Sequence, residues 1–399
     1  MDLTYTAEEA AFRAEVRAFF DSAIPEDTRR KVMLGQRVTR AEIIAWQRIV
    51  NKQGWVAPLW PVEHGGTGWD VVKFFIFREE MNRAYAPELL SMNLNLVGPV
   101  VLAFGTDRQK EFFLPRLRNA DVWFCQGFSE PGSGSDLASL KTRAVREGDH
   151  YVVNGQKIWT SNGHRADWMF ALVRTDPSAK KQSGITYLLL DMKTPGITVR
   201  PIVTLDGTHH LNEVFFDDVK VPVVNRIGEE NKGWTYAKFL LGNERANVAR
   251  VGVSKSRLAY AKMIAGQTRV EGGALLDSAR FREKVALIEV ELKALEMTNL
   301  MLVSAMKKAG AKVQDPRTSV LKLKGSEILQ NITELLFEIA GPEALAYEEA
   351  FLSGREEASF VSRWNGAAAR NYFQMRAASI YGGTNEIQHN VVAKGVLGL

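Results

Sequence analysis

Gly127-Phe-Ser-Glu-Pro-Gly-Ser-Gly-Ser-Asp136, continued by Gly155-Gln-Lys-Ile-Trp-Thr-Ser-Asn-Gly163, is the part of this chain whose reading decides the rest. The first stretch concentrates small residues, hydroxyls and backbone donors where a non-helical main chain can approach a planar or phosphorylated ligand closely. The second completes an alternating run, Tyr151-Val-Val-Asn-Gly-Gln-Lys-Ile-Trp159, that has strand character. Asn154-Gly155 reads as a turn within it, which puts Trp159 on a hairpin facing the first loop. Together the two stretches predict an aromatic-lined cleft.

Outward from this loop pair, the chain of 399 residues is too long for one compact core and predicts two or three domains. Hydrophobic residues at 46% and charged residues at 24% are those of an ordinary globular protein. A formal net charge of +5 is small for this length, and no dense Lys/Arg block is interleaved with aromatics, which argues against nucleic-acid binding. The mildly positive balance suits an anionic small ligand. The single cysteine, Cys125, excludes an intrachain disulfide and fits a reducing cytoplasm. With no His or Lys beside it in sequence, it reads as a small buried apolar side chain rather than a reactive thiol. The acidic stretch Met1–Ala10 has no basic region leading into an apolar core, so no secretory signal is expected. No apolar run approaches the ~18 residues of a membrane span, and no metal-ligand set is read.

In chain order, residues 6 to 119 have a helical pattern. Phe12, Val16, Phe19 and Phe20 share a stripe after the capping box Thr6-Ala-Glu-Glu9, and Ile43, Ile44, Gln47 and Val50 repeat the spacing. Trp60 to Gly68 is a loop by its Gly and Pro content, with His64 either solvent-facing or functional. The apolar run Met92–Leu102 reads as a buried helix. From Asp121 to Gly233 the pattern is of short strands, namely Trp168–Arg174, Ile185–Asp191, Ile197–Pro201 and Val214–Phe216. Helical periodicity returns at Trp234 and continues through Phe281–Met306 and Leu321–Ile339. The boundaries predicted are a helical domain at 1–120, a β domain at 121–232 and a helical domain at 233–399.

Four ordered segments carry a resemblance. Ser129–Asp136, Lys157–Gly163, Glu213-Val-Phe-Phe-Asp-Asp-Val-Lys-Val-Pro222 and Tyr381-Gly-Gly-Thr-Asn-Glu-Ile-Gln388 resemble the signatures of the acyl-CoA dehydrogenase family of flavoproteins. Within the family they are most similar to large subunits of the pimeloyl-CoA dehydrogenase type and less so to bacterial steroid side-chain dehydrogenases. The resemblance implies an α+β fold with an N-terminal helical domain, a middle β-barrel domain and a C-terminal four-helix bundle. It also implies FAD as cofactor, an acyl-CoA substrate and an electron-transfer flavoprotein as electron acceptor. The implied reaction removes the α-proton to a carboxylate and the β-hydrogen as hydride to the flavin, giving a trans-2-enoyl-CoA. Part of Met92–Leu102 would then form an acyl-chain wall.

Carried over by motif, Gln126, Phe128 and Ser129 would lie by the flavin ring, with main-chain amides meeting its edge. Trp159 would cover the ring, Thr160 would be a further cofactor-binding residue, and Ser161 would hydrogen-bond near N5. Thr384 and Glu386 would contact the pyrophosphate or ribose. Ser135 would fall at the phosphate or pantetheine approach, a contact for cofactor as well as substrate, and Tyr381 and Arg245 would bind substrate. Many members place a glutamate before the Gly-Thr of the C-terminal motif, but Gly382 stands there in this chain. A minority pattern puts the glutamate just before an arginine on the first C-terminal-domain helix, and Gly242-Asn-Glu-Arg245 matches it. Glu244 is therefore the candidate base, its apolar neighbours raising its pKa toward the working range, and Glu386 is the fallback. The other reading of Glu244 is an exposed helical residue paired with Arg250 or Arg245; adjacent residues do not face each other on a helix, which weakens the Arg245 pairing.

Two family motifs that reach across a subunit interface, Arg-x-x-Phe-Gly and Gln-x-x-Gly-Gly, are degraded here to Gln267–Gly273 and Phe337–Gly341. This implies an α2β2 heterotetramer in which a related small subunit supplies the missing contacts; a homo-oligomer with a different adenine site is the alternative. Other functions left open are a non-catalytic structural subunit and an oxygen-using acyl-CoA oxidase or flavin monooxygenase. Medium-chain, dicarboxylyl and ring-bearing acyl groups also remain open, with Arg83 and His64 as possible partners for a distal carboxylate.

Overall fold

A computed structural model describes residues 5–243, 249–308, 315–355 and 364–399. The helices are α1 (Ala7–Ala23), α2 (Glu26–Leu34), α3 (Arg40–Lys52), α4 (Val71–Arg83), α5 (Gly98–Phe104), α6 (Asp107–Arg118), α7 (Gly233–Asn243), α8 (Val251–Gln267), α9 (Ala279–Lys308), α10 (Thr318–Ala340), α11 (Glu349–Leu352), α12 (Ala368–Met375) and α13 (Asn385–Val392). Between α6 and α7 lie β1 (Phe124–Gly127), β2 (Arg143–Glu147), β3 (His150–Lys157), β4 (Trp168–Arg174), β5 (Ile185–Asp191), β6 (Ile197–Val203) and β7 (His209–Pro222). Contacts gather the chain into two compact units, one of 1–46, 68–87 and 245–399, the other of 47–67 and 88–244.

In the first unit, the Thr6 amide donates to Glu9 Oε2 at 2.9 Å and the Glu9 amide donates to Thr6 Oγ1 at 3.2 Å, closing the predicted capping box of α1. The apolar stripe of α1 seats Phe20 between Phe77 and Trp46, with ring centroids 5.3 and 6.0 Å away. Glu80 of α4 is fully buried beneath α1. Its carboxylate accepts from Arg13 Nε at 2.6 Å, Arg17 Nε at 2.9 Å and Arg83 Nε at 2.6 Å. Arg83 also donates to Asp21 at 2.6 Å, so it is committed to this cluster rather than free for a substrate carboxylate. Further along the chain, α8, α9 and α10 pack pairwise on a core that includes Leu258, Ile288, Ile328 and Ile332.

In the second unit, the strands form one seven-stranded sheet in the order β1-β4-β2-β3-β7-β6, with β5 paired to β4. β1 runs parallel to β4; the β2–β3, β3–β7, β6–β7 and β4–β5 pairs are antiparallel. Met169–Val173 and Ile185–Leu190 have almost no exposed surface, which explains why these two strands are continuously apolar rather than alternating. Cys125 is buried on β1, and burial pushes its thiol far up. The β3 segment departs from expectation, because Asn154-Gly155 does not turn. The strand runs through to Lys157 with a bulge between Val153 and Gly155, and Gly155 takes φ +143° where a Cβ would lie 2.8 Å from the Thr142 backbone. The turn belongs instead to Gly148, at φ +60° between β2 and β3.

Met92–Val97 forms a π-helical segment that runs straight into α5, and Pro99 accounts for it. The Gly98 amide bonds back to Asn93 O, five residues earlier. Pro99 has no N–H to offer, so the widened turn orphans the Leu94 carbonyl. Trp60 Nε1 donates to that carbonyl at 2.8 Å, and a Cβ on Gly98 would meet the same indole ring at 2.2 Å. Buried Asn93 joins this segment to the sheet, donating to Val122 O at 2.7 Å and accepting from the Phe124 amide at 3.0 Å. Among the described residues, no helix is long and apolar enough to cross a membrane.

Burial pushes the Glu80 carboxyl up, but its three arginine partners outweigh burial and hold it down at about 2. A depressed carboxyl stabilises the fold above its ordinary pKa, and that contribution disappears as pH falls from about 4.5 toward 2. Glu80→Gln is expected to lower stability at pH 7 by about 2–3 kcal/mol, since the arginines stay partly solvated. Urea unfolding of both proteins from pH 7 to pH 3 should show the gap narrowing at the acid end.

Candidate active site

The loop after β1 is held from beneath. Phe128 points into the core, edge-on to Phe170 and Tyr187 at 5.7 and 6.3 Å, so the neighbouring main chain rather than its ring is available to a ligand. Glu130 and Ser133 exchange backbone hydrogen bonds at 3.0 and 2.9 Å around Pro131-Gly132. Gly132 at the tip of that turn and Gly134, Ser135 and Asp136 beyond it are exposed, and a Cβ added at either glycine would meet open space. Gln126 is half-buried at the end of β1. A recess beside the loop is lined by Glu130, Pro131, Gly132, Ser133, Lys141, Thr142, Gly155 and Gln156, none of them aromatic.

Glu130 and Lys157 form a buried pair that ties the two motif stretches together. Lys157, with no exposed surface, donates from Nζ to Glu130 Oε1 at 2.8 Å and to Phe128 O at 3.1 Å. Glu130 also accepts from the Lys141 amide at 2.6 Å and the Thr142 amide at 2.9 Å. Burial raises the Glu130 carboxyl, but Lys157 and these donors more than reverse that and keep it ionised. Burial pulls the Lys157 ammonium down to about 8 against the pull of Glu130. Just past the pair, the Ile158 amide donates to Ser129 O at 2.9 Å, so the second stretch is hydrogen-bonded along the first.

Trp159 then leaves the sheet at φ +60°, with 56% of its surface exposed, and Asn162 follows at φ +56°. Left-handed backbone on a residue as bulky as tryptophan costs about 1–3 kcal/mol, and such outliers gather where a site needs a particular shape. The Thr160 amide donates to Asn212 O at 3.0 Å and the Asn162 amide to His210 O at 2.7 Å. Thr160 Oγ1 is buried with no hydrogen-bond partner among the described residues, and Ser161 is half-buried beside it. An exposed indole, an orphaned hydroxyl and a loop of open glycines fit a planar group carrying hydrogen-bonding edges and phosphates.

The C-terminal motif leads into α13. Gly382 and Gly383 take φ +67° and +84°, and Thr384 caps α13 by accepting from the Ile387 amide at 3.3 Å. Glu386 is exposed in the first turn of α13, where its own amide and the Thr384 hydroxyl hold its carboxyl below the usual range. That is the wrong direction for a general base. Tyr381 is 46% exposed, with the Arg250 guanidinium 5.8 Å from its ring centroid. The degraded segment after α8 folds as a small hairpin pairing Arg269–Val270 with Gly273–Ala274. Glu244 and Arg245 lie outside the described residues.

Sequence profiles described as acyl-CoA dehydrogenase N-terminal, middle and C-terminal domains match residues 6–121, 125–219 and 231–397 in turn. The chain is 35% identical to "Acyl-CoA dehydrogenase IpdE1" of Mycobacterium tuberculosis over 97% of each chain. It belongs to the acyl-CoA dehydrogenase family. Among solved structures, one described as the ChsE4-ChsE5 complex from Mycobacterium tuberculosis superimposes with a TM-score of 0.84 at 33% identity, covering 100% of this chain and 99% of that one. Another, described as "Tcur3481-Tcur3483 steroid ACAD", also gives 0.84, at 30% identity and the same coverage. The family fold of helical, curled-sheet and helical domains is therefore this chain's fold, and its class is that of an acyl-CoA dehydrogenase oxidoreductase. Members of the family are FAD flavoproteins, which agrees with the chemistry of the Phe128–Ser135 and Trp159–Ser161 loops.

Sequence reasoning missed three structural residues of the site, Glu130, Lys157 and Asn212. Glu130 and Lys157 stood inside the quoted stretches, but nothing in a linear sequence pairs charges 27 residues apart. Lys157→Met would leave the Glu130 carboxylate buried without its cation, at an expected cost of about 3–5 kcal/mol. Adding Glu130→Gln should recover part of that loss; urea denaturation of the single and double variants checks it.

Proposed function

We propose that this chain is the catalytic large subunit of a heteromeric acyl-CoA dehydrogenase that converts an acyl-CoA thioester to its trans-2-enoyl-CoA and passes electrons to an electron-transfer flavoprotein. The observation that carries this reading is the Trp159–Ser161 turn, tied to the Ser129 loop through the Ile158 amide and carrying an exposed indole and a buried Thr160 hydroxyl with no partner among the described residues. Gln126, the main chain at Phe128 and Ser129, Trp159, Thr160, Ser161, Thr384 and Glu386 would hold FAD. When bound, FAD supplies hydride acceptance from the substrate β-carbon. The chain's own tasks are to fix the thioester against that acceptor, exclude water and remove the α-proton.

Glu244 is the proposed base. Gly382 stands where the alternative glutamate would be, and exposed Glu386 is held ionised well below the working range of a base. Arg245, Tyr381 and Ser135 are the proposed substrate contacts. Heteromer formation is supported by the two degraded interface motifs and by the similarity to a structure described as the ChsE4-ChsE5 complex. Of the acyl groups considered, a ring-bearing one is favoured over medium-chain or dicarboxylyl groups. The support is the neighbour described as a "steroid ACAD" and the commitment of Arg83 to Glu80 and Asp21, which removes one candidate partner for a distal carboxylate.

Flavin absorbance per chain should be low for the protein expressed alone and rise to about one flavin per pair of chains on co-expression with a related small subunit. Near-stoichiometric flavin in the lone chain would replace the heteromer with a homo-oligomer. In the loaded complex, Glu244→Gln should slow anaerobic bleaching of the flavin by a ring-bearing acyl-CoA about hundred- to ten-thousand-fold while leaving flavin content intact. Unchanged bleaching would remove Glu244 from the base role.

A further inference from the structure

The main-chain bonds from Thr160 and Asn162 to β7 would form whatever side chain stood at position 212. The side chain of Asn212 does something further. It has no exposed surface, and its Nδ2 donates back to Thr160 O at 2.9 Å, so the amide and the carbonyl of Thr160 both end on the same residue. The second Nδ2 hydrogen faces His164 Nδ1 at 3.3 Å, and Asn212 Oδ1 lies 2.8 Å from His209 Nε2. The two imidazoles stack at 4.0 Å with planes 29° apart. This geometry assigns the tautomers: His209 carries its proton on Nε2, and His164 presents a bare Nδ1. Both Nδ2 hydrogens of Asn212 and one lone pair of its Oδ1 are then used.

Two non-glycine residues with left-handed backbone, Trp159 and Asn162, flank the residue that Asn212 grips. Main chain in such a conformation persists only when its surroundings over-determine it. From this clamp we infer that Asn212, braced by His209 and His164, is the positioning residue that holds the Trp159–Ser161 turn in the shape it presents to the flavin ring. The inference rests on the function proposed above. Asn212 touches neither substrate nor cofactor; it acts through Thr160. By fixing that residue at both main-chain ends, it leaves the Thr160 hydroxyl and the Trp159 indole as the groups still able to meet a ligand.

Asn212→Asp keeps the size and the acceptor for His209 but sets an oxygen against Thr160 O. In the flavin-free chain, backbone amide exchange at residues 159–163 should quicken about tenfold, with the rest of the sheet unchanged. In the loaded complex, bleaching by acyl-CoA should slow about ten- to hundredfold, while the substrate Kd stays within about twofold. Wild-type exchange together with wild-type bleaching would overturn the assignment. Should Asn212→Asp fail to fold, His209→Ala decides instead, because His209 lies at an exposed position. It should quicken exchange at 159–163 about threefold, and no change there would count against the clamp. A wild-type complex that no acyl-CoA bleaches would sink the proposed function, whereas exchange in the flavin-free chain would still judge Asn212.

Discussion

The buried ion pair between Glu130 and Lys157 is the constraint on which the loop architecture depends. Each partner also bonds main chain: Lys157 reaches the Phe128 carbonyl in the first loop, and Glu130 takes the Lys141 and Thr142 amides just beyond it. A charge without a partner at this depth would be costly, so the two loops have to form together. This is a register device more than a source of net stability. It fixes where the strand carrying Trp159 ends relative to the turn carrying Ser135, leaving the exposed glycines free to be shaped by a ligand.

A second chain of cause runs through the helical wall of the same unit. Pro99 withholds one N–H, the helix widens, a carbonyl is freed, and Trp60 arrives to satisfy it against Gly98. Three residues that look unrelated in sequence turn out to have one explanation. Asn93 then passes the fixed geometry of this segment to the start of β1, the strand from which the Gly127–Asp136 loop departs.

Much of this was legible in advance because its signals are local. The Thr6–Glu9 capping box, the apolar stripe of α1 and the continuous apolar runs of β4 and β5 each depend on neighbours a few residues away. What escaped depends on distant partners. β2 is too charged to announce itself, since Ala144 alone of its five residues is buried. Asn154-Gly155 carries the sequence of a tight turn but is drawn into a bulged strand by pairing with β7, and the polar residues of β7 hide a strand of fourteen residues. In the candidate site, residue types and order pointed to the loops proposed to face the flavin. The side chains that hold those loops, Glu130, Lys157 and Asn212, became visible only with the fold. The reading of Glu244 remains one made from motif position.

The position of Cys125 has a practical side. It is the sole cysteine of the chain, it has no solvent-accessible surface, and burial keeps its sulfur protonated. Thiolate, not thiol, is what maleimides and disulfide reagents attack. The folded protein thus behaves as a naturally cysteine-silent background. A single cysteine introduced at an exposed position such as Ser135 or Leu205 could carry a fluorophore or spin label with no prior removal of native thiols.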